Sequence, residues 1–467
     1  MRNFFSRGRD QAISVPDRAS CSRLFSSRDL LVLFVPLVIE QFLEYTVGLA
    51  SSIMVAHVGE SAVSGVSLGD FVMALLISVF NAIATGGAVI AGQLLGKRQE
   101  RDAKNSANQL MRFIVILGIA VMAIVYFART LILRTLFGSI TGEVYADAST
   151  YLSVVTASIP FIAIYVAGAA LFRTMGNSKL PMRIMLAMNA LNVACNALFI
   201  YVLGWGIFGA GLSTLVSRAG SAVIILFFAH DSRLSLNLRG WVGQKFDWRG
   251  IKMILGIGLP FGIENGMFYF GRIVVLGLVA TFGTAAIAAN AVAGTIVMFE
   301  VLPGMAIGLG LTVIVSRCVG AGDYTQAKYF TKKVIGIIYA AHIVSSAIVL
   351  LLLPMILGAY GLSAQSTEWA RELAWGHAIM MILIWPLAYS LPVTFRAAGD
   401  AKFPMAVSML SMLFCRIALS WVFGVVFGMG MMGTWVAMFV DWIVKAIIFT
   451  MRYMRGRWTR YNATGKN

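Results

Sequence analysis

The sequence predicts an all-α polytopic membrane protein, with 12 transmembrane helices in two pseudo-symmetric six-helix bundles. Three observations carry that expectation. First, 59% of the 467 residues are apolar and only 12% charged, at a mean hydropathy of +0.83. A water-soluble chain of that composition would expose large apolar patches. Second, apolar runs long enough to span a bilayer recur along the whole chain. Third, the chain repeats at an interval of 224 residues: Pro36 and Glu40 answer Pro260 and Glu264, Gly59 answers Gly283, Gly96 answers Gly320 and Gly209 answers Gly433. With one residue slipped, Phe172-Arg173, Gly176, Lys179 and Pro181 answer Phe395-Arg396, Gly399, Lys402 and Pro404. Glycines, prolines and charges in matching places mark a duplicated membrane bundle.

In chain order, residues 1–28 are polar and Arg-rich with no apolar core; they are expected to form a disordered basic cytoplasmic tail, not a signal peptide. Spanning runs follow at about 30–57, 62–95, 108–136, 149–172, 181–204 and 208–230, then at about 251–282, 285–319, 332–358, 370–395, 404–428 and 431–454. The expected organisation is an N-terminal bundle over 29–231, a cytoplasmic linker over 232–250, a C-terminal bundle over 251–455 and a cytoplasmic tail over 456–467. Phe246–Ile251 is expected to be a short interfacial helix with Trp248 at headgroup level. Pro36, Pro160, Pro260, Pro303, Pro386 and Pro392 fall inside runs, where a missing N–H kinks a helix. Lysines and arginines collect on alternate turns, in the linker and at both ends, which predicts cytoplasmic termini.

The net charge of +17 does not indicate nucleic acid, because the basic residues fall in short clusters between apolar runs. The 4 cysteines show no CxxC spacing, so no disulfide framework or metal site is expected. No convergent catalytic motif such as HExxH is present, and no GxxxxGK[ST] loop, so neither a membrane enzyme nor a nucleotide-driven pump is expected. No cofactor is expected beyond a transported coupling ion, H⁺ or Na⁺.

Carboxylates at membrane depth are costly and mark function by default. Glu264, one turn past Pro260, is the leading candidate for ion coupling and substrate binding. Asn265 and Tyr269 lie beside it, and Arg272 lies two turns on. The alternative is a structural pair of Glu264 with Arg272 or with Arg416. Glu40 and Glu44 are one turn apart and share a face; Glu40 is either a first-half counterpart of Glu264 or a partner of Arg28. Glu300 precedes Pro303, whose kink would free carbonyls to join it around a cation; the alternative is a hydrogen bond between helices. Asp70 either caps a helix end or faces the space between the bundles. Asp441 and Lys445 are spaced for an internal ion pair. His57, His342 and His377 read as polar packing residues rather than a proton relay. Asn192 and Asn196 are neutral polar groups at membrane depth. Met267, Phe268, Tyr269 and Met298 are expected to contribute to an adaptable apolar substrate surface.

The residues also resemble those of the multidrug and toxic compound extrusion (MATE) transporters, over about residues 28–455. The likeness rests on Gln93-Leu94-Leu95-Gly96-Lys97 with its partner Ser316–Gly322, and on Leu171–Asn177, repeated as Thr394–Asp400. Asn192, Asn196 and Gly209-Ala210-Gly211 complete it. The resemblance implies an efflux antiporter that exchanges amphipathic, usually cationic compounds for H⁺ or Na⁺ by alternating access. It also implies a multi-pass protein of the cell inner membrane, and a monomer is expected. Three departures stand out. The acidic positions of many members correspond here to Ser51 in the first span and Asn196 in the fifth, and the tenth-span aspartate falls near Trp385. The alternative within the same superfamily is a flippase for lipid-linked precursors; only Arg218, Arg272 and Arg416 read as arginines well inside spans, too few to favour a pyrophosphate cavity.

Overall fold

The computed structural model describes residues 24–138 and 142–464. The expected N-terminal tail lies outside the described residues as far as residue 23. Regular structure among the described residues is helical throughout. The helices are α1 (Ser27–Ala56), α2 (Glu60–Gly96), α3 (Glu100–Phe137), α4 (Gly142–Thr156), α5 (Ile159–Thr174), α6 (Lys179–Asn196) and α7 (Gly206–Ala229). They continue as α8 (Trp248–Ala280), α9 (Thr284–Gly320), α10 (Tyr324–Tyr360), α11 (Ala364–Leu383), α12 (Leu391–Ala398), α13 (Lys402–Ser411) and α14 (Gly430–Met454).

Ten helical segments are long and apolar enough to cross a membrane, counting the π-helical continuations of α6 and α13. Two more spans are bent pairs, α4 with α5 at 52° and Pro386–Ala398 with α11 at 57°, so the described residues supply 12 in all. The duplication extends to helix irregularities. Ala197–Val202, after α6, is π-helical, and so is Val422–Val426 in the matching part of the second half. Wide turns of this kind leave carbonyls less tightly paired and often sit at functional positions.

The prolines act in two ways. Pro36, Pro260 and Pro303 lie within continuous helices, as expected. Pro160, Pro386 and Pro392 instead stand in the first turn of a new helical segment, where the missing N–H costs nothing. The two bends fall just before Pro160 and Pro386. The interfacial helix expected over 246–251 does not form as a separate element: α8 starts at Trp248 and runs unbroken to Ala280. The preceding linker is tied to α3, where the Gln109 amide donates to the Lys245 carbonyl at 2.8 Å and accepts from the Asp247 N–H at 3.1 Å.

The chain divides into two compact units at Gly258, inside α8. In the first unit, α2 packs against α3, α4 and α5, and α7 against α5 and α6. In the second, α9 packs against α10, α11 and α12, and α14 lies along the segments from 386 to 426. Residues 456–464, expected as a free tail, pack onto the second unit: Trp458 is fully buried and stacks on Tyr453 at 5.7 Å between ring centroids. Nearby, Arg452 bonds Asp400 at 2.6 Å, yet burial still raises the Asp400 carboxyl above its ordinary range.

Four helix ends share one stop signal. After α2, α5, α9 and α12 a residue enters the left-handed region: Arg98 (φ 60), Gly176 (φ 88), Gly322 (φ 76) and Gly399 (φ 104). The next N–H then reaches back five residues, as Gln99 does to Leu94 and Asp323 to Cys318. Three of the four are glycine because a Cβ in that conformation costs ~1–2 kcal/mol. A Cβ on Gly322 would meet nothing within 4 Å, whereas one on Gly399 would lie 3.0 Å from the Ala463 backbone nitrogen. Gly322→Ala is thus expected to lower stability by about 1 kcal/mol from backbone strain alone, and Gly399→Ala by more. Thermal unfolding in detergent micelles checks the ranking; equal losses would contradict the contact with the C-terminal segment.

Candidate functional site

Glu40, on α1, is 1% exposed. Arg173, in the last turn of α5, donates to its Oε1 at 2.6 Å, and the Tyr165 hydroxyl donates to the same oxygen at 3.0 Å. Its other oxygen, Oε2, has no protein partner. The expected alternative, Arg28, is not its partner, because α5 brings Arg173 closer. In the second unit, Arg396 on α12 donates to Glu264 Oε2 at 3.0 Å, and Ser408 donates to Oε1 at 2.8 Å. The Arg396 guanidinium also lies over the Phe261 ring, 4.4 Å from its centroid. Neither Arg272 nor Arg416 takes the structural role expected for it; the arginine at Glu264 is Arg396.

These two pairs are one device used twice. Glu40 and Glu264 match across the repeat, and so do Arg173 and Arg396. The third partner differs: a tyrosine hydroxyl from α5 in one unit, a serine hydroxyl from α13 in the other. Exposure differs as well. The Glu40 side chain is 1% exposed and that of Glu264 is 16%. Glu264 is therefore the more accessible of the two carboxylates, and Glu40 the more firmly enclosed.

Other candidates fall in distinct settings. Glu44 is exposed, and Gln41 donates to it at 3.0 Å. Asp70 lies in the interior of α2 and caps no helix end; the buried Tyr151 hydroxyl of α4 donates to it at 2.7 Å. Asn192 and Asn196 form a neutral network with Ser51. Ser51 donates to Asn192 Oδ1 at 3.0 Å, and the Asn196 amide donates to the same oxygen at 3.1 Å. Asn265 and Tyr269 are half-buried beside Glu264, and Phe268 packs edge-on against Tyr269. Arg272 is exposed and Arg416 half-buried. Asp441 and Lys445 pair at 2.9 Å as expected, with the Ser411 hydroxyl donating to Asp441 at 2.5 Å.

Glu300 is completely buried on α9. His377 of α11 meets its Oε2 at 2.5 Å, and the ring of His342, on α10, donates from Nδ1 to its carbonyl at 3.0 Å. Of the two readings of Glu300, the contact seen is the hydrogen bond between helices, made by His377. Trp385, at the position where the resemblance places an aspartate, packs edge-on against His342 at 4.9 Å.

The family model described as MatE matches residues 36–198 and again residues 260–422, two copies 224 residues apart. The chain belongs to the MatE family. Members of this family are transporters, not enzymes, and the chain is a multi-pass membrane protein. Among its MatE relatives, the uncharacterized transporter YisQ of Bacillus subtilis is 28% identical over 431 residues, 91% of this chain and 93% of the relative. The probable multidrug resistance protein NorM of Thermotoga maritima is 23% identical over 451 residues, 93% of each. The multidrug export protein MepA of Staphylococcus saprophyticus is 24% identical over 67% of this chain and 68% of its own. A crystal structure of MATE in the bent conformation superposes with a TM-score of 0.84 at 20% identity, covering 93% of this chain and 96% of that one. An outward-facing multidrug resistance MATE transporter of the MOP superfamily gives the same score over 93% and 97%.

Removing one member of a buried ion pair costs about 3–5 kcal/mol, because the survivor is left charged and unpaired. Arg173→Ala is expected to destabilise the first unit by about 3 kcal/mol. Adding Glu40→Gln to the same chain should restore more than half of the loss. A double-mutant cycle by denaturant unfolding in micelles reads the coupling, and additive losses would rule the pair out as a unit.

Proposed function

We propose that this chain is a secondary active multidrug exporter that moves amphipathic, cationic organic compounds outward in exchange for inward H⁺ or Na⁺. The observation that carries it is the Glu264 pair: a carboxylate at membrane depth, partly accessible, held by one guanidinium and one hydroxyl. A carboxylate so placed must always have a positive partner. Arg396 supplies that partner at rest, and a proton, Na⁺ or an organic cation can replace it in turn. Occupancy by one cation then excludes the others, which is the physical basis of exchange. Glu40, with Oε2 unpartnered and its arginine in the matching place, is a second position for a proton. Exposed Glu44, one turn on, is an entry point for cationic cargo. Phe261, Phe268 and Tyr269 lie close to Glu264 in sequence on α8, and aromatic ring faces favour cations.

Alternating access between the two repeats, a site in the bacterial inner membrane, cytoplasmic termini and a monomeric state complete this reading. It is supported by the MatE match, by curated relatives named for multidrug resistance and export, and by the distribution of basic residues. The lipid-precursor flippase gains no support from those relatives.

The test uses the full chain in proteoliposomes loaded with tetraphenylphosphonium, a lipophilic cation. A pH gradient or a sodium gradient, each imposed alone, is expected to drive its movement under one of the two conditions. Glu264→Gln should slow that movement about tenfold or more, the loss that follows from removing one buried charge contact. Transport under neither gradient, or a Glu264→Gln variant at the wild-type rate, would overturn the proposal.

A further inference from the structure

We propose that Glu300 and His377 form a buried proton-binding site in the second unit, one that takes H⁺ and excludes Na⁺. The proton site itself stands on geometry within that unit. Only its use in coupling rests on the transport reading above.

Three helices build the site. Glu300 projects from α9 and is 0% exposed, His377 from α11 is 2% exposed, and His342 from α10 is 0% exposed. The Glu300–His377 contact, at 2.5 Å, is a direct hydrogen bond, which requires a hydrogen on one of the two groups. The His342 ring has a fixed tautomer. Its Nδ1 faces the Glu300 carbonyl, which can only accept, so Nδ1 carries the hydrogen and Nε2 a lone pair. Two buried polar atoms, Glu300 Oε1 and His342 Nε2, have no protein partner. Gly304 makes room for this arrangement, since a Cβ there would run into His342 and Trp385.

Charge counting fixes what the site holds. Without a shared proton, the carboxylate and a neutral imidazole carry a net charge of −1 in a setting closed to water. With one proton the pair is neutral overall, whether as carboxylate with imidazolium or as carboxylic acid with imidazole. Burial strongly favours the neutral count. Release of the proton therefore requires that water or another positive charge reach Glu300.

A hard cation is a poor substitute. Such ions take about six oxygen ligands. Here Oε2 is committed to His377, and the Glu300 carbonyl already accepts from His342 and Ser345. The remaining walls are aromatic: Trp385 beside His342, and Trp435 and Trp442 edge-on to His377 at 6.1 and 5.3 Å. No group of three metal-ligating side chains occurs among the described residues.

Other titratable groups on the packed elements have their own partners or lie at helix ends. Tyr389 stacks on Trp385, and Lys445, paired with Asp441, lies over the Tyr389 ring. Tyr339 donates to the Leu383 carbonyl. Arg396 pairs with Glu264 and Arg452 with Asp400. Lys328, Lys332 and Lys333 stand in the opening turns of α10, and Glu368, Arg371 and Glu372 in those of α11.

The aromatic walls supply a reporter, because an imidazolium quenches an adjacent indole. Intrinsic fluorescence of the purified full chain in micelles, followed as pH is varied, is expected to show a step where the shared proton is released. His377→Gln and Glu300→Gln should each abolish it, and Trp442→Phe, which keeps the pair and removes its nearest indole, should lower its amplitude by about half. In tetraphenylphosphonium-loaded proteoliposomes, Glu300→Gln should cut pH-gradient-driven transport at least tenfold. A sodium gradient should drive none that depends on Glu300. Absence of the step in the wild type, or an unchanged step in Trp442→Phe and His377→Gln, would overturn the site. A step that is present and behaves as expected, in a chain that transports nothing, would instead overturn the proposed function and leave the site standing.

Discussion

A carboxylate cannot sit in hydrocarbon without a positive charge or a proton beside it, and that constraint organises this protein. Four acids at membrane depth have a basic partner, and three of those partners come from another helix. Arg173 reaches Glu40, Arg396 reaches Glu264, His377 reaches Glu300, and Lys445 serves Asp441 from the same helix. These pairs cost desolvation free energy and contribute little to net stability by themselves. In the proposed exporter their value lies in exchange: a partner that can be displaced makes a carboxylate into a cation-binding site whose occupancy has consequences.

The duplication gives this constraint a form. In both halves a proline precedes a glutamate by four residues on the first helix, and the arginine that meets it ends the fourth span. The halves have then diverged around the shared pair. The first encloses its carboxylate beneath Tyr165. The second leaves Glu264 more accessible, with Phe261 under the arginine and Ser408 alongside. In the first half the positions where many family members carry acids hold a neutral Ser51, Asn192 and Asn196 network instead. The second half holds more of the titratable machinery, with Glu264, Glu300, His342 and His377 on its first four spans.

Most of the fold was legible in the sequence, because the bilayer imposes a length and a polarity on every span. The 224-residue interval found from prolines and glycines is the interval between the two copies of the MatE match. The partners at the candidate site were harder to read. Arg173 and Arg396 stand out in the sequence as a repeated pair, yet the apolar runs end one residue before each. Hydropathy cannot place a helix end at an arginine that folds back onto a buried acid. Single histidines such as His342 and His377 carry no signal of their own, since helix packing alone brings them to Glu300. The sharp stop after α2, where Arg98 takes a conformation that glycine holds after α9, was likewise invisible without the backbone.

The central claim is that Arg396 occupies Glu264 in competition with the transported cation. It is tested most directly by the affinity of the purified protein for tetraphenylphosphonium before and after Arg396→Gln, measured by calorimetry at constant pH and salt. If the arginine is the resting occupant, removing it should tighten binding by about tenfold, the equivalent of roughly 1.4 kcal/mol. Weaker or unchanged binding would mean that Arg396 supports the site rather than competing for it, and would contradict the account.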